Sequence, residues 1–156
     1  MDATTMPSIA SLLNSLSSDY PHITFTEATA FAWSPDALTV FYSLSEPHAE
    51  ALLLHELSHG LLEHHAYNRD VELLVMESAA WQKARELSAH YGVTISEDTA
   101  EDNLDTYREW LHARSTCPAC TATGYQDGVS TYSCPACRHR WKVNEAKICA
   151  LRRRSL

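Results

Sequence analysis

The chain has 156 residues, 45% of them hydrophobic and 21% charged, with a formal net charge of −8. That length suits one compact core with a small satellite rather than two ordinary domains, and the composition excludes wholesale disorder. No apolar run approaches the roughly 18 residues of a membrane span, and the first ten residues carry no basic leader, so a cytoplasmic protein is expected.

The charge is unevenly spread. From Arg138 onward seven basic residues (Arg138, Arg140, Lys142, Lys147, Arg152, Arg153, Arg154) face one acid, Glu145, so this tail carries +6 and the rest of the chain −14. A basic end on an acidic body suits nucleic acid or an acidic partner, as well as a merely solvated terminus. Of the five cysteines, four fall in two Cys-x-x-Cys pairs, a pattern that fits metal binding in a reducing compartment better than a disulfide framework. Cys149 is left over and is expected to be a buried free thiol.

In chain order, Ile9, Leu12, Leu13 and Leu16 have the spacing of a short amphipathic helix over residues 8–16. Residues 23–25, 30–33 and 38–42 are short β-prone runs, and Ser34-Pro35-Asp36 signals a turn, so a small antiparallel sheet is predicted. Ser45 suits an N-cap and Pro47 the first turn of a helix from Ala49 to about His65. Asp70 suits the cap of a second helix through Leu74, Glu77, Trp81, Ala84 and Leu87, closed by Gly92 in the left-handed conformation. A third helix over residues 98–113 sets Leu104, Tyr107 and Leu111 on one face. At Ser115-Thr116 cysteine, proline and glycine replace the helical pattern, which divides the chain into residues 1–114 and 115–156. Asp127-Gly128 is predicted to turn a hairpin with positive backbone dihedrals.

The helix predicted over residues 49–65 carries His55-Glu56-Leu57-Ser58-His59. Histidines four apart lie about 40° apart around a helix axis, which lets both imidazoles reach one tetrahedral zinc. Glu56 then stands beside the metal, where its carboxylate can take a proton from water activated by the ion and pass it to a leaving amine. With this composition roughly 0.04 such pentads arise by chance. Leu52, Leu53, Leu54, Leu61 and Leu62 surround the motif and bury it, and buried histidines and a glutamate without partners are costly. A third ligand is needed. Glu77 is the leading candidate because it shares an inward stripe with Ala80, Trp81 and Ala84; Glu72, near the exposed start of its helix, is the alternative.

With these residues the chain resembles the gluzincin type of zinc peptidase, and within it the ImmA/IrrE family of small bacterial metallopeptidases. The resemblance covers residues 38–87: a strand, the His-Glu-Leu-x-His-Gly helix, and a helix with Glu77 followed by Ala80 and Trp81. It implies a zincin-like α+β fold, a catalytic zinc on His55, His59 and Glu77, Glu56 as general base, and action on a regulatory protein partner. A second resemblance is to SprT-like proteases, which join this pentad to a zinc ribbon; their third histidine has no well-placed counterpart here. His65 lies six residues after His59, as in metzincins, but their turn-making glycine is replaced by Leu62, and a continuing helix would carry His65 away from the metal.

Cys117-Pro118-Ala119-Cys120 and Cys134-Pro135-Ala136-Cys137 form the second constellation. Two such knuckles closed by a hairpin give four thiolates about one saturated, structural zinc that supplies most of the folding free energy of so small a module. Tyr125, Tyr132, His139, Arg140 and Trp141 either present a nucleic-acid or protein-binding face or cover the ribbon's own core. The sequence thus predicts a zinc-dependent endopeptidase domain with two zinc ions per chain. The alternative is a non-catalytic zinc-binding adaptor that binds nucleic acid or protein through the ribbon and tail. Residues 38–42 are expected to pair with an extended substrate as an added strand, and Tyr67 and His90 are candidates for stabilising an oxyanion.

Overall fold

The first helix begins at a side-chain cap. In the computed structural model, which describes residues 6–144 and 153–156, the Ser8 hydroxyl accepts a hydrogen bond from the Ser11 N–H at 3.1 Å and opens α1 (Ile9–Asp19). Leu12 and Leu16, four residues apart, are its buried stripe. The chain then forms β1 (Thr24–Glu27), β2 (Ala32–Ser34), β3 (Thr39–Tyr42), α2 (Ala49–Leu61), α3 (Asp70–Tyr91) and α4 (Glu97–Ser115), followed by β4 (Tyr125–Gln126), β5 (Thr131–Ser133), β6 (Arg140–Val143) and β7 (Arg153–Ser155). It is an α+β chain that divides into two compact units, Met1–His65 with Met76–Ala100, and Ala66–Val75 with Glu101–Leu156.

In the first unit the sheet has the order β1-β3-β2. Its β2–β3 pair is antiparallel and its β1–β3 pair parallel, so the sheet is mixed rather than wholly antiparallel. The turn at residues 35–38 sets the first pairing. The second needs a crossover, and here β2 itself lies within it. Strand direction is fixed by such connections, which the strands' own residues do not encode. β3 is the middle strand with both edges paired, so the expected addition of a substrate strand to residues 38–42 is excluded.

α2 packs on β2 and β3. Its Ala51, Leu53, Leu54 and Leu57 are buried, as is Val40 of the sheet. Its N-cap is His48, in the left-handed region at φ 59°, not Ser45, whose hydroxyl bonds Ser43 at 3.0 Å. The helix also stops at Leu61, well before His65. Glu63 adopts φ 57°, its N–H reaches Gly60 O at 3.1 Å, and the His64 N–H reaches His59 O at 2.9 Å. This pair of bonds is a Schellman motif, with glutamate where glycine is usual. α3 buries Ala80, Trp81 and Ala84 and gives way to Gly92 at φ 69°, the predicted left-handed stop. Among the described residues no helix is long and apolar enough to cross a membrane.

In the second unit the strands run in the order β4-β5-β6-β7, each antiparallel to its neighbour. The β4–β5 link spans four residues and is closed by the Asp127 N–H on Thr131 O at 3.0 Å; neither Asp127 nor Gly128 takes the positive φ expected of them. Trp141, Tyr132, Val143, Cys117 and Cys134 make a small core, with Tyr132 and Trp141 stacked at 5.8 Å. These two aromatics are therefore core residues and not a binding face.

The unit is larger than residues 115–156 because a buried polar cluster joins it together. Arg114 Nε donates to Asp70 at 2.7 Å, the Tyr132 hydroxyl donates to the same carboxylate at 2.5 Å, and the Arg114 side chain also reaches Asn144 O. Asp70 thus serves a buried ion pair, not the helix cap expected of it. Removing one partner of such a pair costs about 3–5 kcal/mol. The expected free thiol, Cys149, lies outside the described residues, with Glu145, Lys147 and Arg152.

Candidate metal centres

On α2, the four-residue spacing of His55 and His59 turns both rings to one side. Glu77 of α3, in the same unit, meets them there. His55 Nε2 lies 2.7 Å from Glu77 Oε2 and His59 Nε2 3.2 Å from Oε1, while the two Nε2 atoms are 3.3 Å apart. Ligands about 2.0–2.1 Å from a tetrahedral zinc stand about 3.3 Å from one another, so the nitrogen pair already has that separation. The donor set of two imidazoles and one carboxylate fits zinc and leaves a fourth position open. All three residues are buried, at 2%, 6% and 6% exposure for His55, His59 and Glu77.

Electrostatics favours the same assembly. Burial pushes the Glu77 carboxyl up, but hydrogen bonds from His55 and His59 outweigh it and hold the group at about 2, so it is ionised and ready to bind a cation at neutral pH. The His55 ring stacks on Trp81, with centroids 4.3 Å apart and planes inclined by 24°. His59 is held differently, its Nδ1 lying 2.8 Å from His64 Nδ1. Burial, and after it the neighbouring His59, holds the His64 imidazole below its ordinary value and so favours the neutral form.

The structure brings together His55, His59 and Glu77 from the predicted set and leaves out Glu72, His65 and His90. Glu72 is exposed, its carboxylate accepting from the Asn68 N–H at 3.1 Å. His90 is exposed and sits thirteen residues beyond Glu77 on α3, about 20 Å of helix. Tyr67 belongs to the second unit. Glu56 is half-buried on α2, beside the two histidines. Sequence reasoning missed Trp81 as a stacking partner and His64 altogether; the signal for His64 was the reversal after α2, which Leu61, Leu62 and Glu63 conceal. Gly60 also gains a reason: a Cβ there would stand 2.8 Å from the Trp33 ring, too close to be accommodated without a shift. Trp33, Gly60, His64 and His65 line one cavity of about 280 Å³ in this unit.

In the second unit the four cysteine sulfurs form the other group, all within 4.8 Å of one another. Cys117 and Cys137 are 3.7 Å apart and Cys120 and Cys134 3.5 Å; thiolates about 2.3 Å from a tetrahedral zinc stand about 3.8 Å apart. The two knuckles are built alike. The Cys117 N–H bonds Ala122 O at 2.8 Å and the Cys134 N–H bonds His139 O at 2.8 Å, while Thr121 and Arg138 each return an N–H to the first cysteine's carbonyl at 2.9 Å. Thr121 and Arg138 accordingly share a left-handed backbone, φ 67° and 66°. Backbone N–H groups of Cys137 and Ala136 lower the Cys134 thiol to about 7, whereas, despite the Ala122 N–H, the neighbouring Cys134 and Cys137 sulfurs push the Cys120 thiol up to about 12. Arg140 and Tyr125 are exposed, with Arg140 paired to Asp127 at 3.2 Å.

Among the described residues there are therefore two groups that could each hold a metal ion, one of two histidines and a glutamate and one of four cysteines. No family model matches the chain, and no curated protein or solved structure is significantly similar to it.

Proposed function

We propose that the first unit is a zinc-dependent metallopeptidase of the gluzincin type, resembling the ImmA/IrrE family, that hydrolyses a peptide bond in a protein partner. The observation that carries this reading is the convergence of the buried His55, His59 and Glu77 donors to within 2.7–3.3 Å of one another, with Glu56 adjacent on α2. A zinc ion held by these three residues would supply Lewis acidity and would lower the pKa of a water molecule to about 7.

Each residue has a distinct task. His55 and His59 would offer their Nε2 atoms to the metal, and Glu77 would contribute one negative charge through its carboxylate. Glu56 accepts the proton of the attacking water and delivers it to the departing amine. The short edge strand β2, on which α2 packs, offers unpaired backbone groups to an extended peptide in place of β3. The ribbon's zinc would be structural, as its four ligands leave no open position.

Glu56→Gln removes the proton acceptor and leaves every metal ligand in place. We expect it to keep the fold and both metals, to abolish cleavage, and to retain bound substrate, so that partners captured on this variant and then offered to the wild-type protein are cut. Wild-type turnover by Glu56→Gln would remove Glu56 from the mechanism. Two metals with no cleavage of any captured partner would favour the non-catalytic adaptor.

A further inference from the structure

His64 has no part in the metal group, yet it touches it. Its Nδ1 lies 2.8 Å from His59 Nδ1, and its backbone N–H bonds His59 O at 2.9 Å. The same two residues are thus joined twice, once by main chain and once by side chain. The reason is the way α2 ends. In a Schellman motif the residue two beyond the C-cap folds back over the third residue from the helix end, and the two side chains usually make an apolar contact. Here those positions hold His64 and His59, and the contact is a hydrogen bond between imidazoles.

This bond constrains protons. His59 turns Nε2 toward Glu77, 3.2 Å away, and toward His55 Nε2, 3.3 Å away. A neutral imidazole that offers Nε2 to a metal carries its proton on Nδ1. That proton needs an acceptor, and His64 Nδ1 is placed to be it, its own proton then residing on its Nε2. Resting on the reading of His55, His59 and Glu77 as a zinc site, we propose that His64 is a positioning residue, an outer-sphere imidazole that fixes the tautomer and ring angle of His59.

The role is one that a metal-ligating histidine commonly assigns to a carboxylate or a backbone carbonyl. A neutral imidazole does it without adding charge, so the ligand set retains the single negative charge of Glu77. The arrangement is also one-sided. Among the described residues His55 Nδ1 is buried without a hydrogen-bond partner, and its ring stacks on Trp81. One ligand is set by a hydrogen bond and the other by packing.

The test compares His64→Leu with His64→Asn in the full chain, because the Oδ1 of asparagine can stand where the Nδ1 of histidine stood. Zinc affinity at the histidine site is read by competition with a chelator, using the four-cysteine group as internal reference and His59→Ala as the ligand-loss control. We expect His64→Leu to weaken zinc binding about 10–100-fold and His64→Asn to restore it. The His59 Nδ1 proton, slow to exchange in ¹⁵N-resolved NMR spectra of the zinc-loaded protein, should persist in His64→Asn and vanish in His64→Leu. If His64→Leu does not fold, His64→Ala replaces it against the same asparagine variant. Wild-type affinity in His64→Leu, with zinc lost from His59→Ala, overturns the positioning role and leaves the site intact. Equal metal content in wild type and His59→Ala overturns both.

Discussion

In the four-cysteine group each half of the ligand set comes from a single reversal of backbone, made twice: the same bonds close both knuckles, at 2.8 and 2.9 Å, with the same left-handed residue after the second cysteine. In the His-His-Glu group helical spacing sets His55 and His59 together, but the set cannot be completed locally, because Glu77 lies 22 residues beyond His55 and arrives on another helix. The first group is written into short stretches of chain; the second exists only once α2 and the Met76–Ala100 part of the unit have packed. Local construction leaves the ribbon with a core of few residues, while packing gives the histidine group nearly complete burial. A metal bound at the first group would therefore stabilise its surroundings, whereas the second group is held by its surroundings before any metal arrives.

The largest effect should follow from breaking the local group. Cys117→Ser with Cys120→Ser removes one knuckle, and the small core around Trp141 and Tyr132 has little else to hold it. We expect zinc content to fall from two per chain to one, with loss of the near-ultraviolet signal of the stacked pair, while the remaining zinc stays sensitive to His59→Ala. A content that stays at two would mean that the ribbon is not a zinc site.

A second comparison ranks ligands within the other group. Glu77→Ala should lower zinc affinity at the histidine site by more than the 10–100-fold typical of an outer-sphere change, whereas His65→Ala should leave it near wild type. Metal titrations giving the reverse order would assign the third position to His65, against its exclusion from the cluster.

The smallest effect concerns the backbone that returns His64 to His59. Glu63 holds φ 57° with a side chain, a conformation that costs roughly 1 kcal/mol in a non-glycine residue. Glu63→Gly is expected to raise stability by up to about 1 kcal/mol, partly offset by the entropy that glycine loses on folding. Thermal or chemical unfolding measures it; a clear loss would show that the glutamate side chain contributes more than its backbone strain removes.

What was legible in the sequence follows the same division. His55, Glu56 and His59 could be read because helical spacing alone sets them side by side. Glu77 could be read because its helix turns Ala80, Trp81 and Ala84 the same way, which made a carboxylate there anomalous without a partner. The cysteine pairs could be read because each knuckle is its own short turn. The end of α2 was hidden, since helix-favouring Leu61, Leu62 and Glu63 precede a reversal that glycine ordinarily marks, and His64 was hidden with it. The parallel pairing of β1 with β3 was hidden because connections, not strand residues, decide direction. The Asp70–Arg114–Tyr132 cluster escaped notice because its members lie 44 and 62 residues from Asp70 and none carries a local signal.

The alternation of exposure along the cysteine group has a chemical consequence. Cys117 and Cys134, which open the knuckles, are buried, and Cys120 and Cys137, which close them, are exposed. An oxidant or alkylating reagent arriving from solvent meets the closing sulfurs first, and thiolate character together with access governs such attack. The near sulfur across from Cys120 is Cys134, and across from Cys137 is Cys117, in each case on the opposite knuckle. Oxidation entering by this route would couple one knuckle to the other through a disulfide, and would expel any metal that the four sulfurs held.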